Sequence, residues 1–172
     1  MPASVPTCLA SQLDVQYRGS QGGAGNWISA FWVANPSGTP CALRSSVTVE
    51  LLDDQGNNRT ATLAIGSPIL LSAMGSMPPP GQDPAPGQLL ADVALEWPTE
   101  ANAVLGLGGT GTRCPLPLFQ PQSARVTFAG AQPVVVGQLS NAGPAPSGSV
   151  GSICGSDVRI FDVSSLTAPE LP

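Results

Sequence analysis

Alternation of apolar and polar positions marks out strands along most of the chain. Leu13, Val15 and Tyr17 alternate with Asp14, Gln16 and Arg18, which predicts a half-exposed first strand. The pattern then changes between Asn26 and Cys41. Trp27, Phe31 and Val33 occupy one alternating face, and Ile28, Ala30, Trp32 and Ala34 the other. A short run that is apolar on both faces predicts a central strand covered from both sides. Pro36, Gly38 and Pro40 end it. The glycine-rich segment at 19–25 between the two strands reads as a flexible turn.

Further strands follow with turn chemistry between them. Val47, Val49 and Leu51 alternate with Thr48 and Glu50, and the Asx-rich run 53–58 closes that strand. Residues 59–65 and 69–73 form two more. Residues 77–87 are a proline-rich crossing loop. The clearest period of two spans 89–97: Leu89, Ala91, Val93, Leu95 and Trp97 face inward, while Asp92 and Glu96 face a solvated exterior. Residues 124–128, 134–136 and 157–163 complete the set, with a frayed tail expected over 164–172. Eight or nine short strands without a helix predict an all-β fold, a two-sheet β-sandwich forming a single domain over 1–172.

Composition narrows the function classes. Gly (20) and Pro (19) are abundant, as a turn-rich fold requires, and the apolar fraction of 42% supports a globular core. The net charge of −5 leaves no basic face for nucleic acid. The six cations are all Arg, at 18, 44, 59, 113, 125 and 159, and the chain holds neither Lys nor His. The commonest general base, metal ligand and Schiff-base nucleophile are therefore missing together, which argues against an enzyme. No run of about 20 apolar residues is available to span a membrane.

Four cysteines without C-x-x-C spacing point to disulfides and an oxidising compartment rather than to zinc. If the first two strands are antiparallel neighbours, Cys8 and Cys41 fall at the same end, and a Cys8–Cys41 bridge follows. Such a bridge stabilises by about 3.5–4 kcal/mol in the loop-entropy account. Residues 1–7 have no basic start and no apolar core, so the chain is expected as a mature domain whose export signal is removed or lies outside it.

Four motifs carry possible chemistry. Residues 106–111 match G-x-G-x-x-G, but Cys114, Pro115 and Pro117 forbid the helix that would hold a pyrophosphate, so the match reads as a surface loop. Asp53, Asp54 and Asn57 could offer oxygens to calcium, yet they miss the calcium-loop spacing, and Asx-rich turns arise for backbone reasons alone. Asp92 and Glu96 are four residues apart on one strand, about 13 Å, wider than glycosidase carboxylates. Asn58-Arg59-Thr60 is a glycosylation sequon without meaning in a bacterial protein. Among the tryptophans, Trp27 and Trp97 read as core; Trp32 is the candidate ligand-binding residue, should its face be open. No cofactor is expected.

The ordered features together resemble a known family. Cys8-Leu9-Ala10 precedes the first strand, and Gly23-Ala24-Gly25-Asn26 leads to the aromatic strand. Asn35-Pro36-Ser37-Gly38-Thr39-Pro40-Cys41-Ala42-Leu43-Arg44 is close to N-x-[GS]-x-x-P-C-x-L-x-G. Val49-Glu50-Leu51-Leu52-Asp53, a late strand ending at Trp97, Cys114-Pro115 and Cys154-Gly155 follow in order. The chain is similar to the actinobacterial secreted family called domain of unknown function 4232. Arg used without Lys, with much Ala, Gly and Pro, fits a GC-rich bacterial genome. The resemblance implies a β-sandwich in exported proteins or lipoproteins and supplies no catalytic residues. The chain departs from the pattern at Ser45, where Gly is usual, and in its inserts at 77–87 and 101–111.

The expectation is an immunoglobulin-like sandwich with two disulfides, Cys8–Cys41 and Cys114–Cys154. The second pairing rests partly on elimination among three connectivities. The expected role is a non-catalytic extracellular or cell-envelope interaction or structural module whose partner is an envelope protein or glycan. The alternative is a small-molecule or glycan binder using a loop pocket and Trp32.

Overall fold

A computed structural model describes residues 5–23, 26–79, 81–98, 119–129, 132–137, 139, 153 and 158–167. The described residues hold ten strands and one 3-10 turn, Ala10–Gln12. The strands are β1 (Asp14–Gly23), β2 (Asn26–Ala34), β3 (Cys41–Leu43), β4 (Ser46–Leu52), β5 (Asn58–Ala64), β6 (Ile69–Leu71), β7 (Leu90–Pro98), β8 (Ser123–Phe128), β9 (Val134–Val136) and β10 (Arg159–Leu166). They form two four-stranded antiparallel sheets, ordered β1-β2-β7-β10 and β5-β4-β8-β9, and a two-stranded sheet β3-β6.

The period-two pattern explains the stacking. A strand apolar on one face must bury that face against another layer. Val15, Tyr17, Phe31, Val33, Val93, Leu95 and Trp97 of the first sheet therefore meet Val47, Val49, Leu51, Val126 and Phe128 of the second in one core. The result is a sandwich-like stack with β1 beside β9 at one seam and β10 beside β5 at the other.

The aromatic strand β2 is interior, with unbroken register against β7 from Asn26↔Pro98 to Val33↔Ala91. Its two faces differ, which corrects the expectation of cover on both. Phe31 and Val33 are buried in the main core, but Ile28, Ala30 and Trp32 are only half-buried. Apolar cover reaches one end of the outer face alone. There Ala34, Met74, Met77 and Leu90 form a second, small cluster against Trp32 and Leu166.

Residues 19–23 are strand rather than the turn the glycines predict, and residues 24 and 25 of that segment lie outside the described residues. β1 continues to Gly23 and pairs with β2 as far as Gly23↔Asn26. A bulge makes this possible. Tyr17 pairs with Phe31 and Gly19 with Ala30, so Arg18 is the extra residue. Gly19 has φ 116°, a conformation open to residues without a Cβ. The bulge returns Ser20 to the core face, where its hydroxyl bonds those of Tyr17 and Ser29. Buried polar groups stay partnered, and the strand runs on.

The far end of the chain also departs from expectation. Ser164, Ser165 and Leu166 are ordered in β10, paired with Asp92, Ala91 and Leu90, instead of fraying. Leu166 is tied down by the small cluster. The expected tail from 168 onward lies outside the described residues.

Cys8 and Cys41 are joined, with a Cα–Cα distance of 4.8 Å across a sequence separation of 33. The backbone reinforces the bond: Cys8 N–H donates to the Ala42 carbonyl (3.0 Å) and Ala42 N–H to that of Pro6 (2.9 Å). Asn35 shapes the approach to Cys41. It is fully buried; its Nδ2 donates to the Thr39 carbonyl (2.7 Å), and its Oδ1 accepts the Ser37 N–H (3.0 Å) and hydroxyl (2.6 Å). This Asx turn satisfies a loop that two prolines keep out of the sheets. Cys114, Cys154 and the glycine-rich 106–111 lie outside the described residues.

Candidate functional site

The outer face of the first sheet carries the sequence's candidate, Trp32. Strand register sets Gln16, Trp32, Asp92 and Ser164 side by side in one row across β1, β2, β7 and β10. Directly opposed residues on antiparallel strands project to the same face, so the row is continuous. The neighbouring row is small on three strands (Gly19, Ala30, Ala94) and ends in Asp162 on β10.

Trp32 is half-buried, and one face of its ring is taken. The Arg18 guanidinium lies 4.1 Å from the ring centroid, a cation–π contact. The same guanidinium donates to the carbonyls of Pro78 (2.7 Å) and Pro79 (2.8 Å). The β1 bulge thus does two things at once. It keeps Tyr17 and Ser20 in the core, and it turns the extra residue, Arg18, outward to link Trp32 to the proline-rich crossing. Periodicity alone could not show this, because a bulge breaks the period.

Asp92 is the residue that sequence reasoning misjudged. Alternation puts it on the outer face, which the sequence reads as solvated. The face is partly covered: Leu90 and Ala94, which flank Asp92 on β7, are buried. Asp92 Oδ1 is sealed from solvent without a hydrogen-bond partner. Burial, and secondarily the charge of Asp162, push its carboxyl up to about 6. The signal available beforehand was the hydrophobic Leu90 and Ala94 beside it, together with the apolar run of Ile28, Ala30, Trp32 and Ala34 on the next strand. Glu96, the other carboxylate of the pair, forms an ion pair with Arg159 on β10. The two acids therefore sit in different environments on one strand.

The Asx-rich turn between β4 and β5 is a second polar cluster. Asp53 Oδ1 accepts the N–H groups of Gln55 (2.9 Å) and Asn57 (2.8 Å), and Oδ2 accepts from Asn57 Nδ2 (2.9 Å). Desolvation works to raise the Asp53 carboxyl, but these donors and the Arg59 charge outweigh it and hold it below its ordinary value. The carboxylate is thus employed in shaping the turn. A hollow of about 330 Å³ beside it is lined by Asp54, Arg59, Phe119 and Gln120, with the Arg59 guanidinium 4.6 Å from the Phe119 ring centroid. Among the described residues, no three His, Cys, Asp or Glu side chains stand close enough to hold a metal. No described helix is long and apolar enough to cross a membrane.

A larger groove of about 580 Å³ runs between the β5–β6 connection and β10. Leu63, Ile65, Pro68 and Leu70 form one wall, and Asp162 and Val163 the other. Leu70 is 41% exposed. Trp97 lies in the main core with its Nε1 unpartnered, and Trp27 packs partly buried against that core.

No family model, no curated protein and no solved structure matches the chain.

Proposed function

We propose that this protein is a non-catalytic extracellular or cell-envelope interaction module built on an immunoglobulin-like sandwich of the domain of unknown function 4232 kind. The strand order supports the immunoglobulin-like reading. β1-β2-β7 follows the A-B-E order of such domains, and β5-β4-β8-β9 the C′-C-F-G order. The fourth place beside β7 goes to the last strand, β10, and the disulfide lies outside the usual inter-sheet position. Support for the family comes from Asn35 and Cys41 acting together in one loop, and from the positive φ of Ser45 where the family carries Gly. The disulfide supports an oxidising compartment.

The observation that carries the interaction reading is the mixed groove between the β5–β6 connection and β10, where Leu70 stands exposed beside the partly buried Leu63 and Ile65 and opposite Asp162, Ser164 and Ser165. A groove that keeps an apolar side chain exposed on its wall suits the seating of a partner. A photoreactive residue at position 70, incubated with actinobacterial envelope extract, should give a discrete adduct that a probe at exposed Thr60 does not. Identical adducts from both positions, or none from position 70, would count against the proposal.

One observation favours the second reading, a glycan or small-molecule binder: a half-exposed Trp32 stands in register beside a carboxylate. A sugar would have to displace Arg18 from the ring. Arg18→Ala should then strengthen quenching of tryptophan fluorescence by soluble cell-wall glycan; identical titrations for both proteins would remove this reading.

A further inference from the structure

Residues 72–79 and 81–89 cross one end of the first sheet's outer face and are fastened at three places. At the roots, Ser72 N–H donates to the Leu89 carbonyl (3.1 Å), Leu89 N–H donates to Ser72 Oγ (2.8 Å), and Met74 N–H donates to the Asn35 carbonyl (3.0 Å). In the middle, Arg18 holds the Pro78 and Pro79 carbonyls. Met74 and Met77 press on Ala34, Leu90 and Trp32.

Asp92 lies at the margin of that apolar patch. Leu90, two residues earlier on the same face of β7, and Trp32, opposite on β2, both belong to it. One carboxylate oxygen is sealed there with no donor. An ionised carboxylate in such a place is costly, and the cost is relieved by water or by protonation. Among the described residues, the charges around it give no counter-ion. β2 presents none. β10 presents Asp162, and Arg159 is occupied by Glu96 of β7. Arg18 of β1 lies beyond Trp32 and is engaged with the prolines, and Asp14 of β1 accepts from Gln16. The crossing itself carries only Asp83, which is exposed.

We propose that the crossing formed by residues 72–79 and 81–89 is a pH-responsive strap over the Trp32 platform, held closed while Asp92 is neutral and loosened when Asp92 is ionised. Lifting Met74 and Met77 opens the apolar margin and lets water reach the sealed oxygen. The strap is then tight in acid and looser at neutral pH, and its opening uncovers Trp32, Ala34 and Leu90. The raised carboxyl of Asp92 agrees with this geometry and places the transition near pH 6. This inference concerns the chain alone and stands whether or not a partner uses the groove at Leu70.

Amide hydrogen exchange at pH 5.0 and pH 7.5, corrected for intrinsic rates, tests it on the intact oxidised protein. Protection of the Ser72, Met74 and Leu89 amides should fall about tenfold at the higher pH, while amides in the β2–β7 ladder hold. Asp92→Asn should abolish the fall, and Asp162→Asn should move its midpoint to lower pH. Equal protection at both pH values, an undiminished fall in Asp92→Asn, or the same fall throughout the core would overturn the proposal. Should Asp92→Asn fail to fold, the Asp162→Asn midpoint decides: a lower midpoint supports the strap, an unchanged one refutes it.

Discussion

Asp92 shows how far burial on a strand face changes one side chain's chemistry. Its folded-state carboxyl titrates near 6, above the ordinary value of 3.8, so the native protein binds more protons than the unfolded chain between those limits. Stability from this group is fully present below about pH 4, declines as pH rises to 6, and stays reduced above. Asp92→Asn should therefore stabilise the protein at pH 7.5 by about 1–3 kcal/mol and flatten urea-derived stability between pH 4 and 6. Two other residues carry comparable weight. Ser45 holds φ 71° and is exposed, so it has backbone strain without burial in return. Ser45→Gly should add about 0.5–1 kcal/mol, seen as a higher Tm. Asn35 is buried with its side-chain donor and acceptor engaged, and Asn35→Ala should lower unfolding free energy by about 2–3 kcal/mol in urea titration.

At the scale of strands, inner and edge members of the first sheet are built differently. β2 and β7 pair without interruption, whereas the edges β1 and β10 each carry a bulge, at Arg18 and at Phe161. Bulged edges resist strand addition from another molecule, so removing one should expose the sheet. Deleting Phe161, which is 43% exposed, should give concentration-dependent mass in sedimentation where the parent protein stays monodisperse. The same division explains what could be read in advance. β4, β7 and β8 are legible because each sends an unbroken alternating apolar face into the main core, and alternation records that directly. β3 was not, because Cys41, Ala42 and Leu43 are all buried and leave no period. The length of β1 was hidden by glycines that read as a turn but allow a bulge. Trp32 is the side chain the sequence singles out; its neighbours Arg18 and Asp92 are not legible there, because Arg18 depends on that bulge and holds a carbonyl 60 residues away at Pro78, and Asp92 depends on burial of the apolar positions around it.

For the whole molecule, the disulfide and the two-layer core are one construction. Cys8 and Cys41 flank the β1–β2 hairpin at its open end, where the Asn35 turn and β3 meet the N-terminal segment. Replacing both cysteines by Ala should lower unfolding free energy by about 3–4 kcal/mol in the loop-entropy account. The proposed export, the sandwich-like stack and the placement of Trp32 over the outer face all lean on that clamp. Peptide mapping of unreduced, alkylated protein tests it most directly. The prediction is a Cys8-containing peptide linked to the Cys41 peptide and, by elimination, Cys114 linked to Cys154; Cys8 joined to Cys114 or Cys154, or recovered as an alkylated thiol, would contradict the account.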